Sequence, residues 1–477
     1  MNTRHRLRLS ACALLFGALT TLGCASAPAA TRPEAAAWIT TGDRSRLLDK
    51  ETIAFSDMSA GDQAVVRLNV DRPLQEMVGF GAAITDASAY LIHTRMSPAQ
   101  RSALMHDLFG RENGGLGFDF IRVTIGASDF SLSHYSLADE PDPTLSGFTT
   151  EPMQAHVFPV LRQALEINPD LKVMATPWSA PGWMKTTGSM IQGELKPEHY
   201  GVYADYLLRY IASAEAQGAP THYLSIQNEP DFEPDSYPGM RWAPAGRAAF
   251  IGQFLGPKLA QAGVRTRVLD WDHNWDKPEQ PLGVLDDAQA NRYVSGVAWH
   301  CYAGEVGAQS LVRAQHPDKD VFFTECSGGD WAADFSDSFV WMMKTLIIGS
   351  TENWARGVLM WNLALDENDG PHAGGCGNCR GVVTINSQTG AVERNQEYYA
   401  FGHASRFIRQ GARRVGVAGL EGFSAVGFVN PDQSRVLLVL NDKEAPLSFA
   451  IGEGPRRAQA SVPPKSAATY VWSGSTP

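Results

Sequence analysis

Eight apolar runs of strand length recur between Glu76 and Leu365, separated by helix-length segments. They read EMVGFGAAI, FDFIRVTIG, LKVMATPW, HYLSIQ, TRVLDWD, VSGVAWHCY, DVFFTE and GVLMWNLAL. A strand covered on both faces reads as a continuous apolar run, and strands alternating with helices imply a parallel sheet. Eight such units predict an α/β fold, a closed (β/α)8 TIM barrel. One connecting segment, YGVYADYLLRYIASAEAQG, repeats its apolar residues at three and four and stops on Gly218, which predicts a helix. No G-x-G-x-x-G follows the first run, which counts against a dinucleotide-binding sheet.

The flanks have a different texture. AVVRLNV before the barrel, and EGFSAVGFVN, SRVLLVLND, APLSFAIG and AATYVWSG after it, are short runs with period-two alternation. They predict an antiparallel β-sandwich at the side of the barrel, built from both N- and C-terminal segments. The expected organisation is a signal peptide over 1–29, a linker over 30–45 and N-terminal sandwich strands over 46–73. The catalytic barrel follows over 74–395 and the C-terminal sandwich over 396–477.

Arg4, Arg6 and Arg8 precede the apolar stretch ACALLFGALTTLG, and small residues follow in CASAPAA. This is the pattern of an export signal, cleaved after Ala27 or Ala29. TLGC is also similar to a bacterial lipoprotein box, with Cys24 as the lipid-anchored residue and Thr21 where such boxes carry Leu. The expected location is outside the cytoplasm: periplasmic, envelope-anchored or secreted. The net charge of −11 argues against a nucleic-acid partner. Cys376 and Cys379 form a C-x-x-C near His372; zinc would want four ligands, so in an exported chain a disulfide-closed loop is the favoured reading.

Active sites of such barrels sit at the C-terminal ends of the strands. The fourth run ends in Asn228-Glu229-Pro230 and the seventh in Glu325. Two carboxylates across one cup suit glycoside hydrolysis. Glu229, beside an Asn whose amide can bind a sugar 2-hydroxyl, is the expected general acid and base; Glu325 is the expected nucleophile. Arg122, in the second run, is the expected support of Glu325. Trp178, His300, Tyr302, Trp361, Asn362, Asp86 and Asp129 also fall at strand ends, with stacking faces and hydroxyl-binding groups suited to a carbohydrate. Two carboxylates suffice for this chemistry, so no metal or organic cofactor is expected.

VGFGAAITDASA, IRVTIGASDFS, TPWSAPGWMKT, IQNEP, GVAWHCYAG, FTECS and WNLALDENDGP, in that order, resemble glycoside hydrolase family 30, the glucosylceramidase family. The resemblance covers nearly all of the chain after its signal. It implies a barrel with a side β-sandwich and retaining hydrolysis of β-glycosides. It places the acid/base on Glu229, the nucleophile on Glu325, and sugar contacts on Asp129, Trp178, Asn228, Tyr237, His300, Tyr302 and Trp361, with Arg122 close by. GFGA replaces the GFGG of lysosomal glucosylceramidase, and the loop DGPHAGGCGNCRGVV also differs. That loop, VLDWDHNWD and AWHCYAG look more like the bacterial and fungal members, which include endo-β-1,6-glucanases. The expected activity is therefore glucosylceramidase-like, with an endo-β-1,6-glucanase as the alternative and a non-catalytic carbohydrate-binding protein as a remote one.

Overall fold

The computed structural model of the protein describes residues 33–57 and 64–474. The signal segment and Cys24 lie outside the described residues. All eight apolar runs form parallel strands: β1 (Gly79–Ile84), β2 (Phe120–Ile125), β3 (Lys172–Pro177), β4 (Tyr223–Ser225), β5 (Arg267–Asn274), β6 (Val294–His300), β7 (Asp320–Glu325) and β8 (Ala355–Asn362). They pair in sequence order, and β8 pairs with β1 to close the barrel. Helices cover the outside. Tyr200–Ala216 is the amphipathic helix expected between β3 and β4, and Gly218 follows it at φ +76°, where a Cβ would be strained.

Inside the barrel, Val78, Phe120, Met174, Tyr223, Leu269, Ala298, Phe322 and Leu359 form their own apolar cluster. The rings of Phe120, Tyr223 and Phe322 meet there, with Phe120–Phe322 centroids 5.6 Å apart. Gly357 makes room for them, since a Cβ would lie 2.6 Å from the Phe120 ring. This layer is a floor. The next inward-facing residue is two positions further along each strand. The floor residues are therefore followed by Arg122, Thr176, Ser225, His300, Thr324 and Trp361.

The sandwich is one nine-stranded sheet folded over a single apolar core that includes Ala35, Ile39, Leu437, Phe449, Ile451 and Tyr470. Three points correct the sequence reading. The stretch expected to be a linker over 30–45 holds the strand Glu34–Thr41, which pairs with Ser466–Ser473 on one side and Leu47–Ala54 on the other. The sheet is not wholly antiparallel: Val65–Asn69 pairs parallel with Leu447–Glu453. The helix Gln396–Ser405, assigned above to the sandwich, contributes Tyr398, Phe401 and Ala404 to the barrel's main core. Across the seam Trp38 meets Phe407 with ring centroids 4.3 Å apart, and His403 shares a hydrogen bond with Thr469.

Candidate active site

β4 is short because its backbone ladder is handed over at the tip. The Asn228 amide donates to Pro177 of β3, and the Glu229 amide to Asp272 of β5. Pro230 has no N–H to continue. Glu229 itself takes a left-handed φ of +47°, and its side chain reaches the His300 ring and the cleft. The Asn-Glu-Pro sequence is thus a strand terminator that presents an acid.

Arg122 is fully buried at the centre of the site. Nη1 donates to Glu325 Oε2, Nη2 to Asn228 Oδ1 and Asp272 Oδ2, each at 2.7 Å, and Nε to Thr176 Oγ1 at 3.2 Å. Its guanidinium also lies 4.7 Å from the ring centre of Trp178. Fixing Asn228 Oδ1 as an acceptor leaves that amide's N–H groups to be offered to a ligand. Tyr302 donates its hydroxyl to Glu325 Oε1 at 2.9 Å. Both Glu325 oxygens therefore receive a donor.

His300 lies between the other two acids. Nδ1 is 3.1 Å from Glu229 Oε1 and Nε2 is 3.1 Å from Asp272 Oδ1. Burial works against its charge, but Glu325, Asp272 and Glu229 outweigh burial and raise its pKa to about 9. Both nitrogens are then donors. Burial likewise opposes charge on Asp272, yet Arg122 and His300 hold it well below the usual carboxylate range. Glu229 moves the other way: burial raises it, partly offset by His300. One oxygen of Glu229, one of Glu325 and a His300 nitrogen all lie within 4.8 Å of one another.

These groups face a cleft of about 520 Å³ lined by Asp129, Glu229, Tyr237, Tyr302, Glu325 and Trp361, among others. Asp129 is buried, and its Oδ1 has no partner. Burial, then the charges of Glu325 and Glu229, push its carboxyl up to about 8. Gly375 packs so closely that a Cβ would lie 2.5 Å from Asp129 Cβ.

The residues read from strand ends, Glu229, Glu325, Asp129, Tyr302 and Trp361, thus meet in one cleft, together with Tyr237, which the family resemblance had implied. Two expected sugar contacts are placed otherwise. His300 is wholly buried with both nitrogens occupied, so it serves the carboxylates and offers no free group to a sugar. Trp178 is buried and stacked on Trp361, with centroids 4.8 Å apart, and Arg122 contacts both rings. Asp86 accepts from Tyr135, and Asn362 accepts from Thr85, both outside the cleft.

Asp272 was missed. In a regular strand Asp270 and Asp272 would share a face. A bulge, with positive φ at Trp271 and Asp272, leaves Asp270 on the outside with Arg247 and turns Asp272 inward to Arg122. Thr176 and Thr324 were legible from period two but were not singled out. Cys376 and Cys379 form the expected disulfide. Cys301 and Cys326 form another, unexpected one, which joins the residue after His300 to the residue after Glu325.

Comparison with known proteins agrees with this geometry. The Glycosyl hydrolase family 30 TIM-barrel domain matches residues 77–408, and the family's beta sandwich domain matches residues 411–470. An endo-1,6-beta-D-glucanase of Aspergillus fumigatus is 34% identical over 80% of this chain and 82% of its own length. The lysosomal acid glucosylceramidase of Mus musculus is 27% identical over 90% of this chain and 86% of its own. A solved endo-beta1,6-glucanase structure superposes with a TM-score of 0.88 and 32% identity, covering 93% of this chain and 100% of that one. With both of its domains matched and two acids meeting at the strand tips of its barrel, the chain belongs to glycoside hydrolase family 30, a family of glycosidases.

Proposed function

We propose that the protein is an exported retaining β-glycosidase that cleaves β-1,6-linked glucan. The observation that carries the mechanism is the spacing of two acids in opposite settings. Retaining enzymes hold their carboxyl groups about 5–5.5 Å apart, while inverting ones leave room for a water at about 6.5–9.5 Å. One carboxyl oxygen of Glu229 lies within 4.8 Å of one of Glu325, and this close approach supports the retaining arrangement.

In the first step Glu325, oriented by Arg122 and Tyr302, attacks the anomeric carbon. Glu229 gives its proton to the leaving oxygen, and the glycosidic bond breaks to leave a glycosyl ester on Glu325. In the second step Glu229, now a carboxylate, takes a proton from water. The water oxygen attacks the anomeric carbon and frees Glu325. The imidazolium of His300 stabilises Glu229 in its anionic half of the cycle.

The substrate order expected from the sequence is reversed in this proposal. Relatives named endo-1,6-beta-D-glucanase share 34% and 32% identity, whereas the mouse glucosylceramidase shares 27%. Export is supported by two disulfides in one chain, which suit an oxidising compartment.

The test is product analysis of purified protein with a β-1,6-glucan and, in parallel, glucosylceramide, with NMR of the first-formed anomer. Short gluco-oligosaccharides released as the β-anomer, with the lipid untouched, are expected. Release of glucose from the lipid alone would sink the glucan assignment, and a first-formed α-anomer would sink retention.

A further inference from the structure

The cleft is unequal at its two ends. Its deep end is made of buried groups: Asp129, Trp361 and the Arg122 cluster beneath. Its mouth is ringed by three aromatic side chains with large open faces: Phe232, 44% exposed, Tyr302, 46%, and Trp331, 58%. Single exposed apolar residues are ordinary on protein surfaces. Three at one mouth, above two catalytic acids, need a reason.

Trp331 is the most exposed large apolar side chain among the described residues. It is also the most deliberately held. Gly328 and Gly329 pair with Arg380 and Cys379 in a short antiparallel ladder. The Asp330 amide donates to Asn378, and Arg380 donates to the Gly329 carbonyl while also binding the buried Glu397. The indole lies directly over Gly329, where a Cβ would come within 2.0 Å of the ring. One face of the indole is therefore backed by the chain, and the ring is left open at the mouth. The backing loop is closed by the Cys376–Cys379 disulfide, and its Gly375 is the residue packed on Asp129. One loop thus connects the deep end to the rim.

A sugar attacked at its anomeric carbon must fill the deep end, where the acids and Asp129 are. The group it leaves behind then lies at the mouth. Resting on the reading given under Proposed function, we propose that Trp331 is the stacking platform for the first glucosyl ring of the leaving group and selects a glucan over a small leaving group. The apolar face of a hexopyranose fits an indole held flat and open, whereas a flexible rim would have to be ordered first.

The test compares kcat/KM on a β-1,6-glucan with kcat/KM on 4-nitrophenyl β-glucoside, whose leaving group departs without needing a sugar platform. In Trp331→Ala the glucan-to-aryl ratio should fall about tenfold or more, and Trp331→Tyr should restore most of it. Gly329→Ala, which displaces the ring, should lower the ratio in the same direction. Trp341→Ala, a comparably exposed tryptophan on the helix Phe335–Trp341 outside the cleft, should leave it unchanged. A Trp331→Ala ratio within about twofold of the native one overturns the platform. If the native protein cleaves the aryl glucoside but not the glucan, the glucan reading falls and takes the platform with it.

Discussion

At the scale of single residues the site is one charge network with two cations and four carboxyls. Arg122 and His300 are shared among Asp272, Glu325 and Glu229, while Asp129 sits nearby with no cation of its own. This division assigns the proton affinities and makes them testable. Glu229→Gln should lose about 10²–10⁴-fold on a natural glycoside, but much less on an aryl glycoside whose leaving group needs no proton. Equal losses on both would contradict the acid assignment. Glu325→Ala should form no glycosyl ester, and azide should partly restore turnover with inversion. Glu229 must be protonated to act as an acid, so activity should fall as pH rises through its elevated pKa. His300→Gln removes a charge that lowers that pKa, so the alkaline limb of the pH–rate profile should move upward. Asp129 predicts a stability effect of its own. Its folded pKa of about 8 exceeds the usual 3.8, so between those values the folded chain binds more protons than the unfolded chain. Its contribution therefore weakens stability as pH rises through that window. Asp129→Asn should raise thermal stability at pH 8 by about 1–3 kcal/mol while impairing sugar binding. Melting curves across pH 4 to 8 would check it. Glu229 and Glu325 were legible in the sequence because a strand end and a proline mark them. Asp272 was not, because a one-residue bulge reverses the face that alternation assigns.

Among the structural elements, the strands were the easiest to read and their connections the hardest. An apolar run buried on both faces announces a barrel strand wherever it lies, and all eight runs became strands. Disulfide partners far apart in sequence have no such local signature, so, unlike the C-x-x-C pair, the Cys301–Cys326 link was invisible. It joins the tips of β6 and β7, next to His300, Tyr302 and Glu325. Replacing both cysteines by Ala should cost about 2–4 kcal/mol and lower kcat on every substrate, because both strand tips carry groups to which the proposed mechanism gives the chemical step. Replacing Cys376 and Cys379 instead should leave the Arg122 network intact and act mainly on glucan over aryl glucoside. Similar profiles for the two double variants, measured side by side, would refute this separation. The strand Glu34–Thr41 was misread for a packing reason. Its sequence, EAAAWITT, is poor in large apolar residues, and its core positions Ala35 and Ala37 are small yet wholly buried. Small residues under close packing look like linker composition.

For the whole molecule, the barrel and sandwich are interlocked and are expected to fold as one unit. The sandwich uses strands from both sides of the barrel in the sequence, and the helix Gln396–Ser405 packs in both directions through Phe401 and His403. Trp38→Ala, which empties the seam against Phe407, should cost roughly 2–3 kcal/mol and lower a single melting transition. A calorimetric trace with a separate, unshifted barrel transition would show that the domains melt independently. Deleting Ser466–Ser473 should prevent the barrel from accumulating in soluble form, since it strips Thr469 from His403 as well as the partner strand of Glu34–Thr41. That pairing of the first described strand with the last also sets a timetable. On the ribosome Glu34–Thr41 emerges long before its partner Ser466–Ser473, with the whole barrel between them. Until that partner is made it is an open β edge, the kind of surface that recruits the wrong neighbour. A chain that stays unfolded until Ser466–Ser473 is made meets both strands at once. The arrangement favours folding once both strands are present over folding strand by strand during translation.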